Sequence, residues 1–380
     1  MKGGVFLHIR IYVCPEAKTS FLQNQCLKAI AAEILHKRHT AEYLDVDAVT
    51  KIDFDKVFAP DEKRVLLYIG YSKKDSRRDL IYLTKHGIHT LLINYGSANF
   101  SGSCSKVLLN YRDAMERCIG YLVANKHDRI ALVGVNPSSS TDSVQEESFA
   151  GYLRDLGADP SRDIYYNYGS ISECFSKFAA ERSRYNAIIC TNNVVALTLL
   201  HRLGEIGVRV PEDIYIISCG CSMILSERSA PTITTIVGDQ NEIGRQTVLA
   251  YATLMKNPGN IAMTVRIGTK IAVRGSTNFD PDPDTVIFPP CNSPTPGVDF
   301  YADPDVKSFF SAEALLHSSD ELDQGILDGL LAGETYPSIA ERLYTSENVI
   351  SYRIKRMFKI TGCQKKGELI SLLNRYMKQS

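Results

Sequence analysis

Along residues 1–279, short apolar runs alternate with stretches in which apolar positions recur every three or four residues. The runs predict strands at Val5–Val13, Val65–Ile69, Thr90–Ile93, Ile130–Val133, Ala187–Cys190 and Ile214–Ser218. Such runs suit strands covered on both faces, as in a parallel sheet. The periodic stretches predict helices at Phe21–Leu35, Asp79–Lys85, Ala114–Val123, Phe149–Leu156 and Val194–Ile206. Strand then helix, repeated, gives an α/β fold with parallel sheets and helices on both faces. The units are too many for one compact sheet, so two sheets side by side are expected.

The texture changes near residue 280. The stretch "DPDPDTVIFPPCNSPTPGVDFYADPD" carries seven prolines. Proline fixes φ and removes an amide donor, so the stretch predicts a stiff linker over 280–317. Beyond it every periodic segment is helical. Leu322, Ile326, Leu330 and Leu331 share one face, and Ile339, Ala340 and Leu343 mark a second helix with Thr335 as its N-cap and Pro337 in its first turn. Ile350, Ile354, Met357 and Phe358 mark a third, begun at Ser346 and stopped at Gly362, and Leu369, Leu372, Leu373 and Tyr376 mark a fourth. A small all-α domain is expected over 318–380.

Length and composition narrow the class. A chain of 380 residues, 44% apolar and 23% charged, fits two or three globular domains. No apolar run reaches the ~18 residues that span a bilayer. His8 and Arg10 interrupt the apolar start, which suits a strand better than an export signal, so a cytoplasmic protein with no membrane partner is expected. The ten cysteines form no C-x-x-C pair or zinc spacing and read as reduced, mostly buried thiols; no metal or cofactor is expected. The chain lacks G-x-S-x-G, a P-loop, H-E-x-x-H and a strand-borne G-x-G-x-x-G, so an enzyme is not expected.

Formal charge is zero, yet it is unevenly spread. From Asp282 to Thr345 there are twelve acids and two bases; from Ser346 to Ser380 there are eight bases and two acids. The third terminal helix sets its apolar stripe against Asn348, Ser351, Tyr352, Lys355, Arg356 and Lys359. A cationic, hydrogen-bonding face suits a phosphate backbone, and its side chains can reach base edges from a major groove; a solvated face of an ordinary bundle has the same pattern. The string "GETYPSIAERLYTSENVISYRIKRMFKITGCQKKGEL" resembles the LuxR-type helix-turn-helix at Gly333, Ile339, Ala340, Leu343, Ser346, Glu347, Gly362, Glu368 and Leu369. That resemblance implies double-stranded DNA as partner. Ser351, Tyr352 and Lys355 stand at base-reading positions, and Asn348, Arg353, Arg356 and Lys359 at phosphate-holding ones. Val349 departs from the family's usual Thr, Ser351 from Lys and Arg353 from His, so base preference does not transfer. The fourth helix resembles the family's dimerisation helix; its apolar face either pairs two copies or packs within the bundle. One such domain reads few base pairs, so a homodimer is expected.

Four further strings, "HDRIALVGVN", "NNVVALTLLHRLGEIGVRVPEDIYIIS", "APTITTIVGDQNEIGRQTV" and "IAVRGST", resemble the effector-binding core of LacI/GalR-type repressors. The resemblance covers 1–279 and implies a type I periplasmic-binding-protein-like fold of two lobes, about 1–126 plus 236–264 and 127–235 plus 265–279. It places three crossings near Asn125–Asp128, Thr232–Thr235 and Val265–Gly268. A ligand would sit between the lobes, at the carboxyl ends of the strands. With the first strand expected at Val5, no counterpart of that family's N-terminal DNA-binding headpiece is expected, and a reader displaced to the C-terminus is.

The family's polar anchors are altered. Gln145 stands at its Arg, Asn192 is kept, Asn193 replaces its Asp, and Gly220 stands at its ligand-binding Asp. A sugar is therefore less expected than the fold implies. Tyr71, Asn94, Gln145, Asn192 and Cys221 are the ligand-binding candidates; a cleft that binds nothing and serves only to pair chains is the other reading. "NPSSST", from Asn136 to Thr141, reads as a mobile cleft loop or a surface connection. The chain is accordingly expected to be a bacterial, ligand-responsive transcription regulator. The alternatives are a scaffold that does not bind DNA and a solute-binding protein.

Overall fold

A computed structural model describes residues 6–70, 72–94, 96, 104–156, 158–220, 224–257, 261–277 and 303–376. The strands are β1 (His8–Val13), β2 (Thr40–Tyr43), β3 (Val65–Ile69), β4 (His89–Ile93), β5 (Cys104–Leu109), β6 (Ile130–Val135), β7 (Ile164–Tyr166), β8 (Ala187–Cys190), β9 (Tyr215–Ser218), β10 (Thr234–Gly238), β11 (Thr264–Ile267) and β12 (Thr269–Ala272). The helices are α1 (Pro15–Lys18), α2 (Phe21–His36), α3 (Phe54–Val57), α4 (Lys73–Lys85), α5 (Tyr111–Ala124), α6 (Ser140–Asp155), α7 (Ile171–Ala180), α8 (Asn193–Glu205), α9 (Ile224–Arg228) and α10 (Gln240–Lys256). Then come α11 (Pro304–His317), α12 (Glu321–Leu331), α13 (Tyr336–Arg342), α14 (Glu347–Thr361) and α15 (Lys366–Asn374).

Two six-stranded sheets result. The first has the order β11-β5-β4-β3-β1-β2 and is parallel throughout. The second has the order β12-β10-β9-β8-β6-β7, parallel except where β12 meets β10. The central strands β3, β4, β6 and β8 are buried along their whole length, which is why they read as unbroken apolar runs. The two lobes are therefore as the alternation predicts.

Two of the three crossings lie elsewhere than expected. Ala114, Met115, Cys118, Ile119 and Leu122 of α5 are buried against the second sheet, not the first, and Tyr121 Oη bonds Thr277 Oγ1 at 2.9 Å. The first crossing therefore falls at Asn110, between β5 and α5, rather than at Asn125–Asp128. An amphipathic helix has the same pattern whichever sheet it covers, so sequence could not assign it. The second crossing follows Gly238, because β10 pairs with β9 and β12 over its full described length while α10 packs on α2 in the first lobe. The third, at Gly268 between β11 and β12, lies within the expected range but gives β11 to the first lobe.

The expected linker over 280–317 is corrected at its end. Residues 280–302 lie outside the described residues, but 304–317 form α11. Asp303 caps that helix by accepting from Asp305 N, with Pro304 in the first turn, a pairing that starts helices. Val306, Phe309, Ala312, Leu315 and Leu316 bury its inner face, and the apolar core continues through them from α7 and α8 into α12–α15. The terminal helices are thus docked on the second lobe.

The local signals in the terminal unit act as read. Thr335 accepts from Ser338 N, Ser346 accepts from Val349 N, and Gly362 takes φ 75° while its N–H donates to Phe358 O at 2.8 Å. In α15, Leu369 and Leu373 are buried and Leu372 is half-buried; Tyr376, just beyond it, is buried too. Tyr376 packs edge-on against Phe309, 5.6 Å between centroids. That face packs within the chain, not at an exposed pairing surface.

Candidate ligand cleft and nucleic-acid interface

A cleft with a cavity volume of about 100 Å³ lies between the lobes. The first lobe supplies Ser20–Gln23, the N-cap and first turn of α2. Tyr111, just past the first crossing, packs its side chain into the first-lobe core; the second lobe supplies the β6–α6 segment from Asn136 to Gln145, Thr191–Val194 after β8, and Cys219 with Gly220 after β9. These are carboxyl ends of parallel strands, where backbone diverges and side chains can converge on a ligand. Phe310 of α11 also lines it.

The structure sorts the five candidates. Gln145 lines the cleft, 1% exposed; its Nε2 donates to Thr191 O at 3.3 Å and its Oε1 meets no partner among the described residues. Asn192 lines it too, but its Oδ1 caps α8 by accepting from Val195 N. Asn94 sits one shell behind: it takes φ 49° at the end of β4, and its Oδ1 accepts from Tyr111 Oη at 2.9 Å. Tyr71 and Cys221 lie outside the described residues.

The "NPSSST" segment lines the cleft and is tied down. Asp142 Oδ2 accepts from Asn136 N at 3.0 Å, and its Oδ1 from Ser139 Oγ at 2.9 Å. Burial raises the Asp142 pKa; the bonds from Asn136, Ser139 and Thr141 act against that rise. The same segment meets the first lobe. Ser72 and Ser139 form a β-bridge, Lys73 N donates to Ser138 O at 3.1 Å, and Gly96 N to Ser140 Oγ at 3.4 Å. The lobes therefore touch beside the cleft.

Sequence reasoning missed Phe21, Gln23 and Phe310. The first two stand in the first turn of α2, beyond the short helix α1, so the strand-end rule does not reach them. Phe310 carried no signal, because it reaches the cleft from a helix that reads as linker.

On the terminal unit, α13 and α14 are joined by four residues, 343–346, a helix-turn-helix spacing. Ile350, Ile354 and Met357 bury the inner side of α14, while Asn348, Tyr352, Lys355 and Lys359 are exposed and Ser351 is half-buried. Arg353 and Arg356 are placed differently. Arg353 Nη1 lies 2.6 Å from Asp320 Oδ2 and 3.1 Å from Asp323 Oδ2; Arg356 Nη1 lies 3.2 Å from Asp323 Oδ2 and its Nη2 donates to Ser318 O at 2.6 Å. Both arginines clasp the start of α12. The hydrogen bond from Asp323 N, and after it the one from Arg353, hold the Asp320 carboxyl below its usual range.

Comparison with known proteins bears on the α/β part. Residues 119–277 match the periplasmic binding protein-like domain family. The HTH-type transcriptional repressor PurR of Pasteurella multocida is 26% identical over 161 residues, 41% of this chain and 48% of its own length. PurR of Vibrio atlanticus is 29% identical over 199 residues, 48% and 56% respectively. The chain spans about half the length of the curated relatives it matches. Transcription regulator CcpA of Lactococcus lactis superposes with a TM-score of 0.57 at 16% identity, over 72% of this chain and 100% of that one. A transcriptional regulator CelR–cellobiose complex gives 0.59 at 12% identity, over 71% and 84%. At these identities the structures show the shared fold: this chain has the two parallel-sheet α/β lobes of LacI-family regulators, followed by a helical C-terminal region.

Proposed function

We propose that the chain is a ligand-responsive, non-enzymatic transcription regulator that acts as a homodimer on double-stranded DNA. The cleft receives a small effector, and α13–α14 serve as a LuxR-type helix-turn-helix with α14 in the major groove. The supporting observation is the outward face of α14, where Asn348, Tyr352, Lys355 and Lys359 are exposed behind a capped, four-residue turn. Tyr352, Lys355 and Ser351 stand to meet base edges; Lys359 and Asn348 stand to meet phosphates. The fold's likeness to regulators supports the effector half.

Ligand would act by favouring one arrangement of the lobes over another, which requires unequal binding to the two. Because α11 is docked on the second lobe, that change would reach α14 through packed contacts. A second reading, a helical interaction module that does not bind DNA, draws on Arg353 and Arg356 being engaged by the chain's own acids.

Fluorescence anisotropy with genomic DNA fragments separates the two. Lys359→Ala is expected to weaken all sequences alike and flatten the salt slope by about one unit, and Lys355→Ala to narrow the gap between specific and non-specific DNA. If neither variant changes binding, or no fragment binds, the DNA half of the reading fails.

A further inference from the structure

We infer that the C-terminal unit completes the ligand site through Phe310, and that the site takes a small uncharged molecule bearing hydrogen-bond donors and a flat apolar face. The inference deepens the regulator reading and rests on its cleft, not on DNA binding.

Two glutamines define the polar demand. Gln23 comes from the first lobe and Gln145 from the second, 5% and 1% exposed. Each Nε2 donates to a backbone carbonyl, Gly70 O at 3.0 Å and Thr191 O at 3.3 Å. A carbonyl only accepts, so these bonds fix which end of each amide is nitrogen. Each Oε1 then remains without a hydrogen-bond partner among the described residues. A buried acceptor calls for a donor, so a molecule between the lobes satisfies both by offering N–H or O–H groups to each side.

Side-chain charge gives an anion no partner. No Lys, Arg or His is among the described lining residues, and the one carboxylate, Asp142, is turned to its own loop. A phosphate or carboxylate would lose its hydration there without a cationic side chain to offset the loss.

Shape comes from the aromatic pair. Phe21 of the first lobe and Phe310 of α11 stack with centroids 5.8 Å apart and planes 27° from parallel. Both line the cleft. Phe310 is held there from the second lobe, since Asp303 Oδ2 accepts from Ile171 N at 3.1 Å and Glu313 Oε2 from Leu225 N at 3.0 Å. A planar or apolar face packs against such rings. A molecule so placed touches both lobes and the helix that carries the terminal unit.

Calorimetric titration of the full chain tests this with uncharged and phosphorylated pairs: uracil and adenine against UMP and AMP, glucose and cellobiose against glucose 6-phosphate. At least one neutral probe should bind, with its phosphorylated partner at least tenfold weaker. For that probe, Gln23→Leu, Gln145→Leu and Phe310→Ala should each weaken binding about tenfold, Phe310→Tyr should retain most of it, and Leu156→Ala, at an exposed position, should leave it unchanged. Thermal unfolding without probe identifies any variant that fails to fold, in which case Gln145→Glu, which adds charge but keeps size, takes its place. No binding by any neutral probe, equal binding of a phosphorylated one, or full affinity in folded Phe310→Ala overturns the inference. Anisotropy on genomic DNA with the same samples keeps the readings apart: probe binding without DNA binding sinks the regulator and leaves this site standing.

Discussion

Individual side chains in this chain divide by how far away their partners are. Thr335, Ser346 and Gly362 meet groups within four residues, so their roles could be read from sequence. Arg353 and Arg356 meet acids about thirty residues away, and an outward reading of both was the natural one until α12 was placed. Releasing them is informative. Asp323→Asn removes the buried charge they share, and is expected to cost on the order of 3 kcal/mol of stability while steepening the salt dependence of DNA binding; an unchanged slope would show that these arginines do not reach phosphates even when freed. Tyr251 gives a separate test. Its hydroxyl donates to Val65 O at 3.0 Å, and burial pushes its pKa up from 10.0 to about 12. The unfolded chain releases this proton first, so the associated stability is full below about pH 10 and is lost as pH rises through about 12. Tyr251→Phe should therefore lower stability by about 1–2 kcal/mol near neutrality and make the alkaline loss shallower in urea unfolding between those pH values.

Among elements, central strands and long helices were legible and edges were not. The strand β2, Thr40–Tyr43, is exposed at both ends and only half-buried between, at the margin of the first sheet, so it lacks an apolar run. The helix α11 was hidden by proline-rich context; one proline within it sits at its first turn, where no amide bond is lost. The stop of α14 is the converse case, visible because one residue type can make it. Gly362 holds φ 75°, and Gly362→Ala forces a β-carbon into the left-handed region. The expected loss is about 1–2 kcal/mol, read by thermal unfolding, with α14 and α15 gaining hydrogen exchange ahead of the lobes.

For the molecule as a whole, the decisive contacts lie between lobes. A β-carbon on Gly96 would come 2.7 Å from Ser140 O, backbone that cannot yield as a side-chain tip can. Gly96→Ala should therefore part the lobes at this edge. Spin labels at the exposed positions Leu35 and Leu156, one on each lobe, should report a longer and broader distance; an unchanged distance would mean that the first-lobe loop shifts alone. The fold class and the terminal helices were determined by the sequence alone, because periodicity, caps and breakers act within a few residues. Tertiary structure alone decided which sheet α5 covers, where the chain crosses, that α11 reaches the cleft, and that Arg353 and Arg356 turn inward. Those outcomes depend on which surfaces meet, and residues far apart in the chain leave no local pattern that records their meeting.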